Sequence, residues 1–379
     1  MAKPKSDMKN YFINTPTNSV PPSLTTDILR DSTAIAYHQS LPAYEPTPLV
    51  SLPDLAGKYR VGSIYIKDES YRFGLNAFKG LGASYAIFRT LEQRPQIDTF
   101  CTATDGNHGR AVAWAARMAH KKAVVYVPRD TSKNRMQAIE QEGATVIKID
   151  GNYDETCAFA KASSQKEGWQ LVQDTAWENY KTIPAQIMAG YLTHFQELED
   201  TLHTLAQAKI DVVFLQAGVG SWAGSAIWYY LNRYGRQRPK IVVVEPDEAD
   251  GILSSFKAGK RVMPDCTFET IMAGLNCGIP SLSAWEIIKA GTDISMKVQD
   301  EFAECAIRAL YYPIGNDQRI IAGESGVGGL AGFMALMETE EMQVLKEELE
   351  INPDTNILFY STEGATDLDS FNEIILRIT

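Results

Sequence analysis

The chain has 379 residues, of which 45% are hydrophobic and 22% charged, and its formal net charge is −11. This composition is ordinary for a globular protein and excludes the collagen, coiled-coil, disordered and disulfide-rich classes. So acidic a chain is not expected to bind nucleic acid or an anionic membrane through bulk charge. No run approaches the roughly 20 apolar residues that span a bilayer.

The cysteines and the N-terminal segment bear on the compartment. Five cysteines are scattered without any CxxC spacing, which is typical of reduced thiols in the cytoplasm. The first twenty residues lack the apolar core of a secretory signal. Neither the cysteines nor the five histidines show metal-ligand spacing. We therefore predict a cytoplasmic protein without a bound metal.

The predicted elements alternate along most of the chain. Residues 1 to about 45 are polar and rich in Thr and Pro, and we expect them to wrap the surface of the core. From residue 62 onwards, short apolar runs that end in turn-forming residues predict strands, and longer segments with an apolar face predict helices. In chain order these are strand 64–69, helix 79–90, strand 100–105, helix 110–120, strand 121–128, helix 132–142, strand 144–150, helix 154–167, segment 170–174, helix 183–205, strand 211–218, helix 222–234, strand 240–246, helix 326–337 and strand 356–362.

This alternation predicts the α/β class, with mostly parallel sheets and helices on both faces. The apolar runs 212–215 (VVFL) and 241–244 (IVVV) are typical of strands buried on both sides. The middle of the chain has strand–helix units of its own. We therefore predict a small inserted domain over residues 97–182, within a large domain made of residues 1–96 and 183–379.

A glycine-rich turn follows the strand at 211–218, in the segment Gln216-Ala-Gly-Val-Gly-Ser-Trp-Ala-Gly224. Such a turn between a parallel strand and a helix presents backbone N–H groups to an anion, and the helix dipole adds to the attraction. We predict phosphate binding here. The segment also fits G-x-G-x-x-A, and Glu245 ends the next strand, so a dinucleotide site is an alternative. A turn that serves tight packing alone is another.

A lysine stands where a loop rich in turn formers enters an Ala/Gly-rich helix, at the end of Ser70-Tyr-Arg-Phe-Gly-Leu-Asn-Ala-Phe-Lys79. At such a place the amine would point into a cleft. A lysine in a site can form a Schiff base with an aldehyde cofactor, and desolvation lowers its pKa for proton transfer. An ordinary surface lysine is the alternative.

Two further polar segments follow strands. Thr104-Asp-Gly-Asn-His-Gly-Arg110 opens a helix, where Asp105 or Asn107 could also serve only as a cap. Ser361-Thr-Glu-Gly-Ala-Thr-Asp367 follows the last strand, where two hydroxyls could hydrogen-bond a heterocycle nitrogen or form an ordinary polar turn. Ligands in open α/β sheets bind beyond the carboxyl ends of the strands, which is where both segments lie.

The order of these four segments resembles the fold type II (tryptophan synthase β-like) pyridoxal-phosphate enzymes over roughly residues 45–370. The S-x-N-H-G of that family is present as Asp105-Gly-Asn-His-Gly, its phosphate loop as Ala217-Gly-Val-Gly-Ser, and its E-[ST]-[GA] segment as Glu324-Ser-Gly-Val-Gly. The resemblance implies a homodimer whose subunits have two three-layer αβα domains, with pyridoxal 5′-phosphate in the cleft between them.

The resemblance also implies roles for individual residues. Lys79 would hold the cofactor as an internal aldimine and, once freed, remove the α-proton of the substrate. Asn107 would bond the 3′ oxygen of the cofactor, and Ser361 or Thr362 would face its pyridine nitrogen. The family more usually has four glycines in a row in this loop. Val219 and Ser221 interrupt that run here, but the backbone N–H donors are kept. The phosphate would be bound by the backbone N–H groups of Gly218, Val219, Gly220 and Ser221.

Within that family, the chain is similar to the diaminopropionate ammonia-lyases. The similar features are Arg72-Phe-Gly-Leu-Asn-Ala-Phe-Lys, the Asp105 that stands before Gly-Asn-His, and Asp174 in Gln-Asp-Thr-Ala-Trp. The resemblance implies α,β-elimination of 2,3-diaminopropionate, in both D and L forms, to pyruvate and two ammonia through an aminoacrylate intermediate.

A β-amine leaves poorly unless it is protonated, so an acid must hold or relay a proton near it. Asp174 and Asp105 are the candidates, with His108 as a relay. An Asp on the face opposite Lys79 would allow α-proton removal from the other enantiomer. The alternatives are a serine or threonine dehydratase or related β-eliminating lyase, an NAD-dependent oxidoreductase, and a non-catalytic amino-acid sensor.

Overall fold

The computed structural model describes residues 9–104, 106–204 and 209–377. Contacts divide the chain into two compact units. The first comprises the described parts of residues 1–21, 46–70 and 194–379, and the second comprises residues 22–45 and 71–193. No helix in the described ranges is long and apolar enough to cross a membrane.

The described residues form eleven strands and sixteen α-helices. In chain order they are β1 (Tyr11–Ile13), α1 (Leu24–Arg30), α2 (Ala34–Gln39), β2 (Leu49–Ser51), α3 (Pro53–Tyr59), β3 (Ser63–Asp68), α4 (Lys79–Gln93), β4 (Thr99–Ala103), α5 (Asn107–Met118), β5 (Lys122–Val127), α6 (Lys133–Gln141), β6 (Thr145–Lys148), α7 (Tyr153–Glu167), β7 (Gln170–Leu171), α8 (Thr182–Gly190), α9 (Leu192–Thr204), β8 (Val212–Gln216), α10 (Ser221–Tyr234), β9 (Lys240–Pro246), α11 (Gly251–Ala258), α12 (Leu282–Gly291), β10 (Ile294–Val298), α13 (Asp300–Tyr311), α14 (Gly328–Glu338), α15 (Gln343–Glu348), β11 (Asn356–Ser361) and α16 (Leu368–Leu376).

The first unit is built on a seven-stranded sheet in the order β1-β10-β9-β8-β11-β3-β2. The five inner strands are parallel, and the two edge strands are antiparallel to their neighbours. Every residue of β8 is buried, as expected of a strand covered on both faces. The sheet grows through β9 and β10 on one side of β8 and through β11 on the other. A switch point therefore lies between β8 and β11, where ligands bind in open α/β sheets.

The second unit is built on a four-stranded parallel sheet in the order β6-β5-β4-β7. From β4 the chain continues to β5 and β6 on one side, whereas β7 pairs on the other side of β4. This sheet therefore also has a switch point, between β4 and β7. The two parallel sheets confirm the predicted α/β class.

The second unit takes in more of the chain than the predicted insert. Residues 97–182 lie wholly within it, but it also includes α1, α2, α4 and α8. The reason is close packing between α4 and α8. A Cβ on Gly190 would overlap the carbonyl oxygen of Leu81, so the two helix backbones touch at this point. A contact between distant helices of this kind leaves no mark in local periodicity.

Two other local predictions differ from the structure. The predicted helix 183–205 is two helices, α8 and α9, with Tyr191 between them, and its predicted end lies outside the described residues. The N-terminal residues do not only wrap the surface. Residues 11–13 add an edge strand to the larger sheet, and α1 and α2 pack in the second unit, where His38 is fully buried.

Candidate active site

The predicted site segments lie at the switch point of the sheet to which each belongs. In the second unit they supply the lysine cluster, which consists of Lys79, His108 and Asp174. In the first unit they supply the glycine loop, which consists of residues 217–221, and the two hydroxyl residues at the end of β11. We describe each group within its own unit.

Lys79 is the first residue of α4, and the loop before it has an unusual backbone. Phe73 and Asn76 have φ angles of 53° and 59°, in the left-handed region that non-glycine residues seldom adopt. Bulky residues persist there only where the surrounding structure holds them, and such positions are frequent at functional sites. The loop that presents Lys79 is therefore fixed in one conformation by its neighbours.

The neighbour that fixes this loop is α5. The guanidinium of Arg110 donates to the carbonyl oxygens of Leu75 at 3.0 Å and Gly74 at 3.4 Å. The ring of Phe73 stacks on that of Trp114 with 4.7 Å between their centroids. The last residue of the Thr104–Arg110 segment thus holds the lysine loop in place.

Lys79 forms an ion pair with a carboxylate at the carboxyl end of β7. Its Nζ lies 2.6 Å from Oδ2 of Asp174, and Nδ1 of His108 lies 3.8 Å from the same oxygen. Nε2 of His108 is 2.9 Å from the carbonyl oxygen of Val172. A carbonyl only accepts, so this nitrogen donates and Nδ1 is the one that faces the carboxylate.

The electrostatics of the lysine cluster keep Asp174 ionised. Burial of the carboxyl opposes ionisation, but the charge of Lys79 and that of His108 outweigh it and hold the pKa of Asp174 far below its usual range. Asp174 is therefore an anion at every pH at which the protein would work. A buried anion of this kind attracts a cationic amine.

The side chain of Gln173 holds Asp174 beside the end of β4. Its amide nitrogen donates to the carbonyl oxygen of Ala103 at 2.9 Å, and its amide oxygen accepts from the N–H of the same residue at 3.1 Å. The hydroxyl of Thr102 donates to that oxygen at 2.9 Å. Tyr180 accepts from the backbone N–H of Gln173 at 2.9 Å. These bonds join the two strands at the switch point.

The Thr104–Arg110 segment is described except for one residue. Helix α5 begins at Asn107, and its N-cap is Gly106, which has no side chain with which to cap it. Asn107 is therefore inside the helix and does not serve as the cap. The predicted catalytic residue Asp105 lies outside the described residues. The structure thus brings Lys79, His108 and Asp174 together.

The glycine loop leads into α10, whose N-cap Gly220 has a φ of 86°. The carbonyl oxygens of Val219 and Gly220 accept from Ser281 and Gly224, at 2.8 and 2.7 Å. Among residues 9–104, 106–204 and 209–377, however, no protein acceptor bonds the amides of Gly218, Val219 and Gly220. These amides stand at the N-terminus of a fourteen-residue helix, a position that favours an anion.

Neighbouring side chains and backbone pack closely around the glycine loop. A Cβ on Gly218 would lie 3.0 Å from Sγ of Cys277 and 3.3 Å from the carbonyl oxygen of Gly274. At Gly220 it would lie 2.5 Å from Cδ1 of Ile288. A side chain at Gly218 would therefore crowd its neighbours, and at Gly220 the positive φ angle favours glycine in addition to the close approach of Ile288.

The end of β11 meets the glycine loop through Gln216. The amide nitrogen of Gln216 lies 2.9 Å from the hydroxyl of Thr362, and 3.0 and 2.8 Å from the carbonyl oxygens of Gly326 and Tyr360. Two carbonyls can only accept, so this end of the amide must be the nitrogen. Thr362 consequently accepts from Gln216, and its own proton is directed elsewhere.

Ser361 is bonded differently from its neighbour. Its hydroxyl donates to the carbonyl oxygen of Glu363 at 3.3 Å, and it also bonds the carboxyl of Asp68, its partner on β3. Burial raises the pKa of Asp68, and its bonds to Ser70 and Ser361 act in the opposite direction. The Ser361 hydroxyl is therefore engaged within the protein.

The segment Glu324–Gly328 packs on the same strand end. The backbone N–H of Ser325 donates to Oε1 of Glu363 at 3.1 Å, and its hydroxyl accepts from the N–H of Gly274 at 2.8 Å. A Cβ on Gly326 would overlap the carbonyl oxygen of Glu363. The Glu324–Gly328 segment and the Ser361–Asp367 segment are thus one packed structure.

Glu245, on which the dinucleotide alternative depends, is already engaged. Its two carboxylate oxygens accept from the backbone N–H groups of Ile252 at 2.7 Å and Leu253 at 2.8 Å, at the start of α11. Burial raises its pKa well above the usual value. This carboxylate closes a helix N-terminus and is not placed to hold a ribose, so the structure does not support a dinucleotide site.

The residues present fit pyridoxal 5′-phosphate. The amides of Gly218, Val219 and Gly220 suit its phosphate, a lysine in a fixed loop suits its aldehyde, and the hydroxyl proton of Thr362, which is not used on Gln216, suits its ring nitrogen. Within the described parts of the chain, no group of three or more His, Cys, Asp or Glu side chains could hold a metal ion.

Several residues of the site were not predicted. Arg110 and Gln173 stand inside segments that were singled out, but their roles depend on contacts with other segments. Gln216 begins the glycine-rich turn, and its bonds to β11 span well over a hundred residues of sequence. Only the chain topology brings such groups together, so local sequence patterns carry no signal for them.

Comparisons with known proteins agree with this geometry. Residues 41–357 match the family described as pyridoxal-phosphate dependent enzyme. The chain is 42% identical over 356 residues to the diaminopropionate ammonia-lyase of Escherichia coli strain K12, which covers 89% of each chain. It is similar to the crystal structure of the Escherichia coli enzyme in complex with an aminoacrylate-PLP azomethine reaction intermediate, with a TM-score of 0.89 and 40% identity. This match covers 97% of the present chain and 96% of the chain in that structure. The complex of that enzyme with D-serine matches with a TM-score of 0.89, 39% identity and the same coverage.

Proposed function

The chain belongs to the pyridoxal-phosphate dependent enzymes and, within them, to the diaminopropionate ammonia-lyase family, and we propose that it converts 2,3-diaminopropionate into pyruvate and two molecules of ammonia. The observation that supports this function best is the partly buried Lys79–Asp174 pair, because it places a base and an anionic carboxylate together. The similarity to relatives that act on this substrate supports the choice of substrate.

The cofactor of this family, pyridoxal 5′-phosphate, withdraws electrons from the α-carbon of a bound amino acid and so makes its α-proton acidic. The residues of the chain have the remaining tasks. We propose that Nζ of Lys79 holds the cofactor and, when it is displaced by the substrate amine, removes the α-proton. The strained, clamped loop before α4 keeps this nitrogen in place through both tasks.

The cofactor is proposed to be bound by main-chain and hydroxyl groups. The amides of Gly218, Val219, Gly220 and Ser221 bind its phosphate at the N-terminus of α10. Asn107 bonds its 3′ oxygen, as the resemblance implies. Thr362, rather than Ser361, donates to its ring nitrogen, because Thr362 accepts from Gln216 and has its proton free for this purpose.

We propose that Asp174 changes its protonation as Lys79 changes its charge. While Lys79 is an ammonium, its charge keeps the pKa of Asp174 low and the carboxylate attracts the β-ammonium of the substrate. When Lys79 is a neutral amine that charge is gone, and burial then raises the pKa of the carboxyl. Oδ2 of Asp174 can therefore hold a proton near the leaving amine, and His108, 3.8 Å away, can relay it.

Asp105 is proposed as the base for the D-isomer, as the resemblance implies. The complex of the Escherichia coli enzyme with D-serine supports binding of D-amino acids in this family. In the variant Asp105→Asn we expect turnover of D-diaminopropionate to be lost, while much of the L activity remains, because Lys79 still acts on the other face. Equal loss with both isomers, measured as pyruvate release, would overturn the assignment.

A cytoplasmic homodimer is also proposed. The homodimer rests on the resemblance to fold type II enzymes, and the cytoplasm rests on five cysteines that are all free thiols. Light scattering after size-exclusion chromatography of the holoenzyme measures the oligomeric state directly. A mass of one subunit would contradict the homodimer.

The function is tested with the purified holoenzyme, D,L-2,3-diaminopropionate, L-serine and L-threonine. A visible absorption band that borohydride abolishes is expected from cofactor bound to lysine. With diaminopropionate, ammonia and pyruvate should appear in a ratio of two to one, whereas serine would give one to one. Faster turnover of serine or threonine than of diaminopropionate would favour the dehydratase alternative, and absence of the band would overturn the cofactor assignment.

A further inference from the structure

The hydroxyl of Tyr191 is a buried polar group for which the proposed chemistry has no use. The residue is 1% exposed. Among the residues that the structure describes, the hydroxyl oxygen has no hydrogen-bond partner. A buried hydroxyl without a partner costs free energy, and most buried polar groups are bonded to protein or to ordered water, so one without a protein partner calls for an explanation such as a functional role.

Tyr191 packs against the helix that begins with Lys79. A Cβ on Gly82 would lie 2.5 Å from Cε1 of Tyr191 and 2.8 Å from Cζ, the ring carbon that bears the hydroxyl. Gly82 is three residues after Lys79, so both face the same side of α4. The hydroxyl end of the tyrosine is therefore about one helical turn from the lysine, on the same side of the helix.

Phe78 is a shared neighbour of the two residues. Its ring centroid lies 4.9 Å from that of Tyr191 and 5.8 Å from Nζ of Lys79. The field at the hydroxyl is consistent with this placement. Burial raises the pKa of Tyr191, the charge of Lys79 opposes the rise, and that of Asp174 adds to it. The hydroxyl therefore keeps its proton and can donate it in a hydrogen bond.

We propose that Tyr191 is a positioning residue for Lys79, whose hydroxyl donates a hydrogen bond to Nζ whenever Lys79 is a neutral amine. An ammonium offers only donors, so it pairs with Asp174, as the structure shows. A neutral amine has a lone pair that accepts a hydrogen bond, and it no longer has a charge that pairs with Asp174. The hydroxyl of Tyr191 then supplies a donor on the same side of the helix. This inference rests on the proposed function only in that Lys79 exchanges between bound and free forms.

The test is the variant Tyr191→Phe, which removes only the hydroxyl. Apoenzyme is mixed with pyridoxal 5′-phosphate, and the growth of the visible band is followed across pH. Because capture of the aldehyde needs the neutral amine, we expect the rate at neutral pH to fall about tenfold. We expect the midpoint of its pH dependence to move to higher pH, since a donor that stabilises the neutral amine has been lost. The thermal stability of the apoenzyme should be equal or higher.

The matched control is Tyr85→Phe, at a tyrosine of α4, the helix that begins with Lys79. The hydroxyl of Tyr85 accepts from the backbone N–H of Thr33 at 3.0 Å, so its loss should lower thermal stability and leave the capture rate unchanged. Capture of the cofactor at the wild-type rate and midpoint by Tyr191→Phe would overturn the proposal. So would a slower rate that is accompanied by lower stability, because that pattern indicates a structural role.

The test is independent of the substrate. Capture of the cofactor is measured without any amino acid, so wild-type protein that fails to turn over diaminopropionate would reject the proposed function and leave this inference standing. If Tyr191→Phe does not fold, the same titration on Tyr191→Met, which also lacks the hydroxyl, decides the point: an unshifted midpoint overturns the proposal.

Discussion

The switch points of the two sheets use different chemistry. At the smaller sheet the groups are ionisable side chains, Lys79, His108 and Asp174, in one electrostatic cluster. At the larger sheet they are backbone amides of the glycine loop and the hydroxyl of Thr362, which is bonded to Gln216. The first set can gain and lose protons, and the second can only bind. We therefore expect reactivity to be concentrated in a few side chains and affinity for the cofactor to be distributed over the main chain.

The largest expected effect tests the reactive side of this comparison. In Lys79→Ala, elimination should fall by at least about 10³-fold, because both the attachment point and the base are lost. The borohydride-sensitive band should also disappear. Lys181→Ala, at a partly exposed lysine of the same unit that pairs with Glu178, is the control and should keep both. Residual turnover within tenfold of wild type would place the base elsewhere.

Asp174→Asn should lower kcat by about 10²-fold, because the amide cannot hold a proton for the leaving amine. A comparison of this variant with wild type also tests the depressed pKa of the Asp174 carboxyl. The pKa of Asp174 in the folded protein lies below its pKa in the unfolded chain, which is about 4. The ion pair therefore contributes stability at pH values above about 4, and this contribution is lost as the pH falls.

The measurement is thermal unfolding of both proteins at several pH values. The variant should be less stable than wild type at neutral pH, and the gap should shrink as the pH is lowered below about 4. A gap that stays constant down to pH 3 would contradict the depressed pKa.

The binding side is tested at Gly220. In Gly220→Ala the Cβ meets Ile288 and the φ of 86° becomes strained, so we expect stability to fall by more than about 1 kcal/mol and the Kd for the cofactor to rise about tenfold. Gly259→Ala is the matched control, because its φ is 69° with nothing within 4 Å of the new Cβ. Equal cofactor affinity in the two variants would show that the loop does not bind the phosphate.

The smallest effect distinguishes the two hydroxyls. Thr362→Val should weaken cofactor binding about fivefold, which is the value of one hydrogen bond, with little change in stability. Ser361→Ala should do the reverse, because its hydroxyl is bonded to Asp68 and Glu363 within the protein. Cofactor titration and thermal unfolding of both variants measure the contrast, and the opposite pattern would assign Ser361 to the ring nitrogen.

Local patterns predicted the elements that carry most of the site. The strand at 240–246 was predicted with the bounds that β9 has, and the predicted helices that follow the lysine loop and the glycine loop correspond to α4 and α10. Both sheets are mostly parallel because strand and helix alternate, which is a property that a sequence shows directly.

Elements that depend on distant partners were not predicted. The three residues of β1 form a strand only because they pair with β10, nearly three hundred residues later. Local sequence patterns predict none of the elements from α11 to α13. Asp174 was proposed from the resemblance, but its distance from Lys79 depends on how β7 pairs with β4. The lack of a partner at Tyr191 is a three-dimensional property that no sequence window contains.

The contact between α4 and α8 has a consequence for how this activity can change over time. Gly82 and Gly190 have no reactive groups, yet a methyl group at either would push against the facing helix or the tyrosine that ends it. Because Lys79 begins one helix and Tyr191 directly follows the other, any such mutation alters the spacing of both at once. Evolution of this protein is therefore constrained at positions that have no chemical role. A homologue could keep every reactive residue and still lose activity through one added methyl group at either glycine.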